Sequence, residues 1–146
     1  MPTMPDLLAL AHRAPGAIVC CVSALAVHDL TDEIPVAVQF AVPRHARPPV
    51  ISQPPVEVFR FAGATFELGL TMVEAAPGED VRVYGPERTV VDMMRLRSRL
   101  GESLAYTALR RYTSRAGARP GELLRIARAL HVLGPVRSAL DVVIAE

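Results

Sequence analysis

The side chains that could do chemistry in this chain are few and scattered. Ser23 and His28 come nearest to a nucleophile and its base. A hydrolytic pair needs mutual geometry, yet five residues along a helix set two side chains about 140° apart. Ser23 also lacks the Gly-x-Ser-x-Gly surroundings of a nucleophile elbow. Asp32-Glu33 and Glu79-Asp80 are neighbouring carboxylates. Adjacent residues of an extended chain face opposite sides, so turn or capping roles suit them better than paired acid–base work. His12, His28, His45 and His131 have no metal-ligand spacing. Cys20 and Cys21 are the only cysteines and match no zinc, redox or disulfide pattern. They read as small buried residues in a reducing compartment. No Walker A, His-Glu-x-x-His or Gly-x-Gly-x-x-Gly motif is present. Nothing here asks for a metal or a cofactor, and the pattern points to a binding module rather than an enzyme.

Arginine is the one chemically forward residue type. Lysine is absent, so all 16 basic residues are arginine. That excludes Schiff-base and P-loop lysine chemistry and leaves a planar, permanently charged fork suited to carboxylates and phosphates. The net charge of +1 conceals an asymmetry. Residues 1–80 carry 4 arginines against 9 acids, whereas residues 81–140 carry 12 against 4. Such a basic second half is the electrostatic footprint of an anionic partner, nucleic acid among them.

The elements that position these residues follow from periodicity. Asp6 can start a short helix that runs through Arg13 and ends at Pro15-Gly16. Residues 18–30 read as a buried helix carrying Ser23 and His28. Pro35 opens a strand over 36–42. A proline-rich loop with a basic tip at Arg44, His45 and Arg47 covers 43–55. Strands follow around Val56–Phe61, Phe66–Val73 and Val81–Tyr84. From Gly85-Pro86 the period changes to 3.6. Val90, Val91, Met93, Met94 and Leu100 fall in one arc, with Arg88, Asp92, Arg95 and Arg99 in a narrow opposite stripe. The stripe is expected to be solvated, with i,i+3 and i,i+4 pairs worth only about 0.2–0.5 kcal/mol each. Arg97 projects from the apolar side and either snorkels or reaches a partner. Further helices follow over 102–116, from Pro120, and from Gly134-Pro135.

The fold class is therefore α+β: N-terminal helices, a small mostly antiparallel sheet and a C-terminal four-helix segment. Residues 1–146 form a single domain, with a mixed helix/strand half over 1–84 and a basic helical half over 85–146. The apolar run Ala17–Val27 is too short to span a bilayer, and the N-terminus lacks a signal-peptide layout. The chain is expected to be soluble and cytoplasmic, without membrane contact. A mean hydropathy of +0.27 leaves room for an apolar interface with a second copy or a partner.

Several segments combine into a known pattern. They are Pro15-Gly16, Ser23-Ala24-Leu25-x-x-His28-x-Leu30-Thr31-Asp32, Pro35 leading into the strand 36–42, Val81-Arg82-Val83-Tyr84, Glu87-Arg88-Thr89-Val90-Val91-Asp92, Arg95-x-Arg97, Ala108-Leu109-Arg110-x-Tyr112 and Glu122-Leu123-Leu124-x-x-Ala127. Their order and spacing resemble the C-terminal domain of AbiEi-type antitoxins, over nearly the whole chain. The resemblance implies an antitoxin-like regulatory domain of a toxin–antitoxin system. Its partner would be a cognate nucleotidyltransferase-like toxin, engaged directly or indirectly, and it would add to transcriptional autoregulation. In that family a winged helix-turn-helix precedes this domain. The chain starts where the C-terminal domain starts, so DNA contact is expected to be weak. Asp29 stands where the family usually has a small residue. Ser23, His28, Arg88 and Asp92 match the family's motif positions, and Arg95, Arg97, Arg110 and Arg111 are the candidate contacts to a partner or nucleic acid. The alternative is a nucleic-acid-binding accessory or transcriptional-regulator domain using the arginine-rich helical face.

Overall fold

The computed structural model describes residues 4–146. Helix α1 (Met4–Arg13) leads into β1 (Ile18–Val19) and α2 (Cys21–Val27). Then come β2 (Val38–Pro43), β3 (Val56–Phe61), a 3-10 turn at Gly63–Thr65, β4 (Leu70–Ala76) and β5 (Glu79–Tyr84). Helices α3 (Pro86–Arg95), α4 (Arg97–Leu100), α5 (Glu102–Ser114), α6 (Pro120–Ala129) and α7 (Leu133–Ala145) complete the chain. The fold is α+β with a C-terminal helical segment, and no helix is long and apolar enough to cross a membrane among the described residues.

The five strands lie in the order β3-β2-β1-β5-β4. The sheet is mixed rather than mostly antiparallel. β1 runs antiparallel to β2 and β4 to β5, but β1 pairs parallel with β5 and β2 parallel with β3. Neighbouring parallel strands need a crossover, and the proline-rich segment between Pro43 and Val56 provides it. The expected helix 18–30 is also shorter at its start. Ile18 and Val19 are the central strand, with Val19 opposite both Phe40 and Val83. Two residues are too few to show a period, and a strand buried on both faces carries no alternation. Cys21, at φ 52°, turns that strand into α2.

Side-chain alternation gives the sheet two cores. Ile18, Phe59, Phe61 and Tyr84 point to the face covered by α2, α3 and α5–α7. Val19, Phe40, Val81 and Val83 point to the face where Leu7 and Leu10 of α1 pack. Helix α3 is the hub of the larger layer and touches α2, α5 and α6. It starts as its sequence dictates, with Gly85 at the N-cap and Pro86 in the first turn. The long helix expected from Pro86 to Leu100 breaks at Leu96, which divides it into α3 and α4. The expected strand Phe66–Val73 starts late, at Leu70. Gly69 at φ 78° turns the chain first, and a Cβ there would lie 2.5 Å from the Cβ of Arg88.

Candidate functional site

The motif residues meet around α3, and the expectation of a solvated stripe is overturned there. Side-chain exposure along the stripe is 0% at Arg88, 0% at Asp92, 24% at Arg95 and 54% at Arg99. The stripe dives into the protein because it faces β3 and the turn before β4. Arg88 donates from Nε to Asp92 Oδ2 at 2.9 Å and from Nη1 to the carbonyls of Thr65 and Leu68 at 2.7 and 2.8 Å. Its guanidinium carbon lies 4.2 Å from the Tyr84 ring centroid and 5.4 Å from that of Phe61. Ring faces and carbonyls replace much of the water that a buried cation loses, while Nη2 is buried without an acceptor. Asp92 accepts from Arg95 Nη2 at 2.8 Å on its other oxygen. Arg95 stacks over Phe61, and Arg99 lies over Phe59 while pairing with Glu57 at 3.1 Å.

Ser23 and His28 are brought to the same scaffold but not to each other. Ser23 is fully buried. Its Oγ accepts from the Gln39 amide at 2.9 Å and donates to the Ala37 carbonyl at 3.4 Å. Gln39 in turn accepts from the Val22 amide at 2.8 Å, so α2 is stitched to β2. His28 Nε2 donates to the Tyr84 carbonyl at 2.7 Å. Thr89 Oγ1 donates to the adjoining Gly85 carbonyl at 2.8 Å and lies 3.1 Å from that of Tyr84, so α2 and α3 both bond to the backbone at the end of β5. Burial pushes the His28 imidazole below its usual value, and only partly does its hydrogen bond to Tyr84 oppose this. Burial likewise pushes the Cys20 thiol up, which makes it a packing residue rather than a nucleophile.

A second polar cluster escaped the sequence reading. Tyr112 donates its hydroxyl to Glu87 and accepts from the Arg119 amide at 2.6 Å, while Arg119 pairs with Glu87 at 3.2 Å. Burial and the Glu87 carboxylate push the Tyr112 hydroxyl up to about 12. The only available signal was the Glu87 that precedes Arg88, and its partners lie 25 and 32 positions away.

The four candidate contact arginines form two separate pairs. Arg95 is committed to Asp92, and Arg97 caps α3 by donating to the Met94 carbonyl at 2.6 Å. Arg110 pairs with Glu146 at 3.1 Å. Arg111 pairs with Asp32 at 2.9 Å and Asp29 at 3.3 Å. Together with Arg115, which donates to the His28 carbonyl at 2.7 Å, it holds the end of α2. Arg110 lies eight residues beyond the first residue of α5, about 12 Å along that helix. Among the described residues, Arg128 on α6 and Arg137 on α7 are exposed and carry no hydrogen bond or ion pair. No group of three or more His, Cys, Asp or Glu among the described residues is placed to hold a metal ion. The chain matches no protein-family model and no curated protein.

Proposed function

We propose that this chain is an antitoxin-like regulatory domain that acts by binding and counters a nucleotidyltransferase-like toxin. One observation carries the reading. The residues on which the resemblance rests are distant in sequence, yet they build one frame around α3. Arg88 and Asp92 clamp α3 to the turn before β4. Ser23 stitches α2 to β2. His28 bonds to the Tyr84 carbonyl and Thr89 to the adjoining Gly85 carbonyl. Motif positions spent on a frame suit a domain defined by its shape and its outer surface. They suit less well a site that must leave its polar groups free for a substrate. Co-expression with the toxin encoded beside this gene tests the proposal. Restored growth, lost when the surface arginines of α5–α7 are replaced, is the expected result. A folded, expressed chain that leaves the toxin fully active would sink the idea, as would the lack of any such neighbouring gene.

A second reading, a nucleic-acid-binding accessory or transcriptional-regulator domain, is favoured by Arg128 and Arg137, which no acid neutralises. It predicts binding to DNA or RNA that weakens steeply with salt, as counterion release requires. Salt-insensitive binding, or none, removes it.

A further inference from the structure

An open cavity of about 470 Å³ lies at the end of the sheet, bordered on one side by the turn that Arg88 holds. That size falls within the roughly 300–1,000 Å³ of small-molecule sites. Ala14, Pro15 and Ala17 from the turn between α1 and β1, Val42 and Pro43 from the end of β2, and Phe66 make an apolar wall. The polar side chains on it are Arg47, Glu67 and Arg82. Glu67 is taken by Arg82 at 3.0 Å, and the Arg82 Nε–H is buried without an acceptor. Positive charge is thus incompletely compensated on this wall. Arg47 is exposed and has no acid partner.

The surroundings reinforce that sign. Arg13 directly precedes the wall residue Ala14, and Arg44 directly follows Pro43; both are exposed and their side chains are unpaired. Arg60 fixes the loop that carries Arg47 by donating to the carbonyls of Arg44 and Ala46 at 3.3 and 3.0 Å. These are all four arginines of the otherwise acidic first 80 residues. Of the four, Arg47 lines the cavity itself, Arg13 and Arg44 adjoin lining residues in the chain, and Arg60 braces the loop.

We infer that this cavity binds a small amphipathic anion, with an acyl or aryl body against the alanine, proline, valine and phenylalanine wall and a carboxylate or phosphate head on Arg47. The wall offers a nucleobase or sugar no neutral side-chain hydrogen-bonding group, so an apolar body is the better match. The inference stands independently of the antitoxin reading.

The test is titration of the full chain with decanoate, decyl phosphate and, as an uncharged control, 1-decanol. Calorimetry and the methyl resonances of Ala14, Ala17 and Ala46 report binding. Saturable binding of at least one anion, tighter than that of decanol and centred on those methyls, is expected; the ratio of the two anions identifies the head group. Arg47→Glu should weaken anion binding roughly tenfold and spare decanol. Ala46→Phe should fill the cavity and abolish binding of all three, with unchanged circular dichroism showing both variants folded. No saturable binding, decanol bound as tightly as the anions, or binding that both variants leave intact would each overturn the inference.

Discussion

Helix α3 and the pair α6–α7 use the same cation in opposite ways. On α3, Arg88 is enclosed by a carboxylate, two carbonyls and two aromatic rings. On α6 and α7, Arg128 and Arg137 stand in solvent with no partner. The difference teaches that arginine content says little about where a surface works. A buried guanidinium is held by what surrounds it and organises the fold. An exposed one is available to another molecule. Arg95, Arg97, Arg110 and Arg111 lie between these limits, partly exposed yet each engaged within the chain.

The comparison breaks most visibly at Asp92. Asp92→Asn leaves Arg88 buried without its counter-charge, and breaking a buried pair costs about 3–5 kcal/mol. Denaturant unfolding should therefore show a large fall in midpoint, and a change under about 1 kcal/mol would mean that α3 is not held as described. Next in size is Gly69→Ala. The added methyl meets the Arg88 Cβ at 2.5 Å in a backbone conformation disfavoured for alanine. A loss of about 1–3 kcal/mol is expected from overpacking and strain, read by thermal melting.

A smaller effect should follow pH. Burial lowers the His28 pKa in the folded chain below its ordinary value of 6.5. The unfolded chain therefore binds the extra proton first, and stability rises with pH where that is so. The His28 contribution should be complete above pH 6.5 and should fade as pH falls from there towards the folded-state value. His28→Gln should flatten that part of the stability–pH curve; an unchanged curve would show that another group titrates. Smallest of all, the double change Arg128→Ala/Arg137→Ala should leave the unfolding midpoint at the wild-type value. Any partner that reads this face should still lose affinity. A clear loss of stability would place these arginines with Arg88 rather than opposite it.

Much of the layout was legible from local signals. Gly85-Pro86 marked the start of α3, and the alternation through Val81, Val83 and Tyr84 marked β5. Two features were hidden for different physical reasons. β1 is two residues long and buried on both faces, so no period identifies it, although it holds the sheet together between β2 and β5. The Arg88–Asp92 stripe had the spacing of a surface pair, and that spacing is the same inside and outside. Of the site, Asp92 pairing with Arg88 and Arg95 was readable at helical distance. The Glu87–Tyr112–Arg119 cluster was not, because its members lie on α3, on α5 and just before α6.

The sequence by itself determined that arginine is the sole basic side chain, that the charge is divided between two halves, and that an α+β order of elements ends in helices. Only the tertiary structure decided which arginines are inside. A guanidinium can leave water when acceptors and ring faces enclose it. For Arg88 those come from Thr65, Leu68, Phe61 and Tyr84 as well as from Asp92. Most of these groups belong to other elements, brought to α3 by the turn at Gly69 and the pairing of β4 with β5. Helical periodicity records which residues share a face, but it holds no record of what that face will meet.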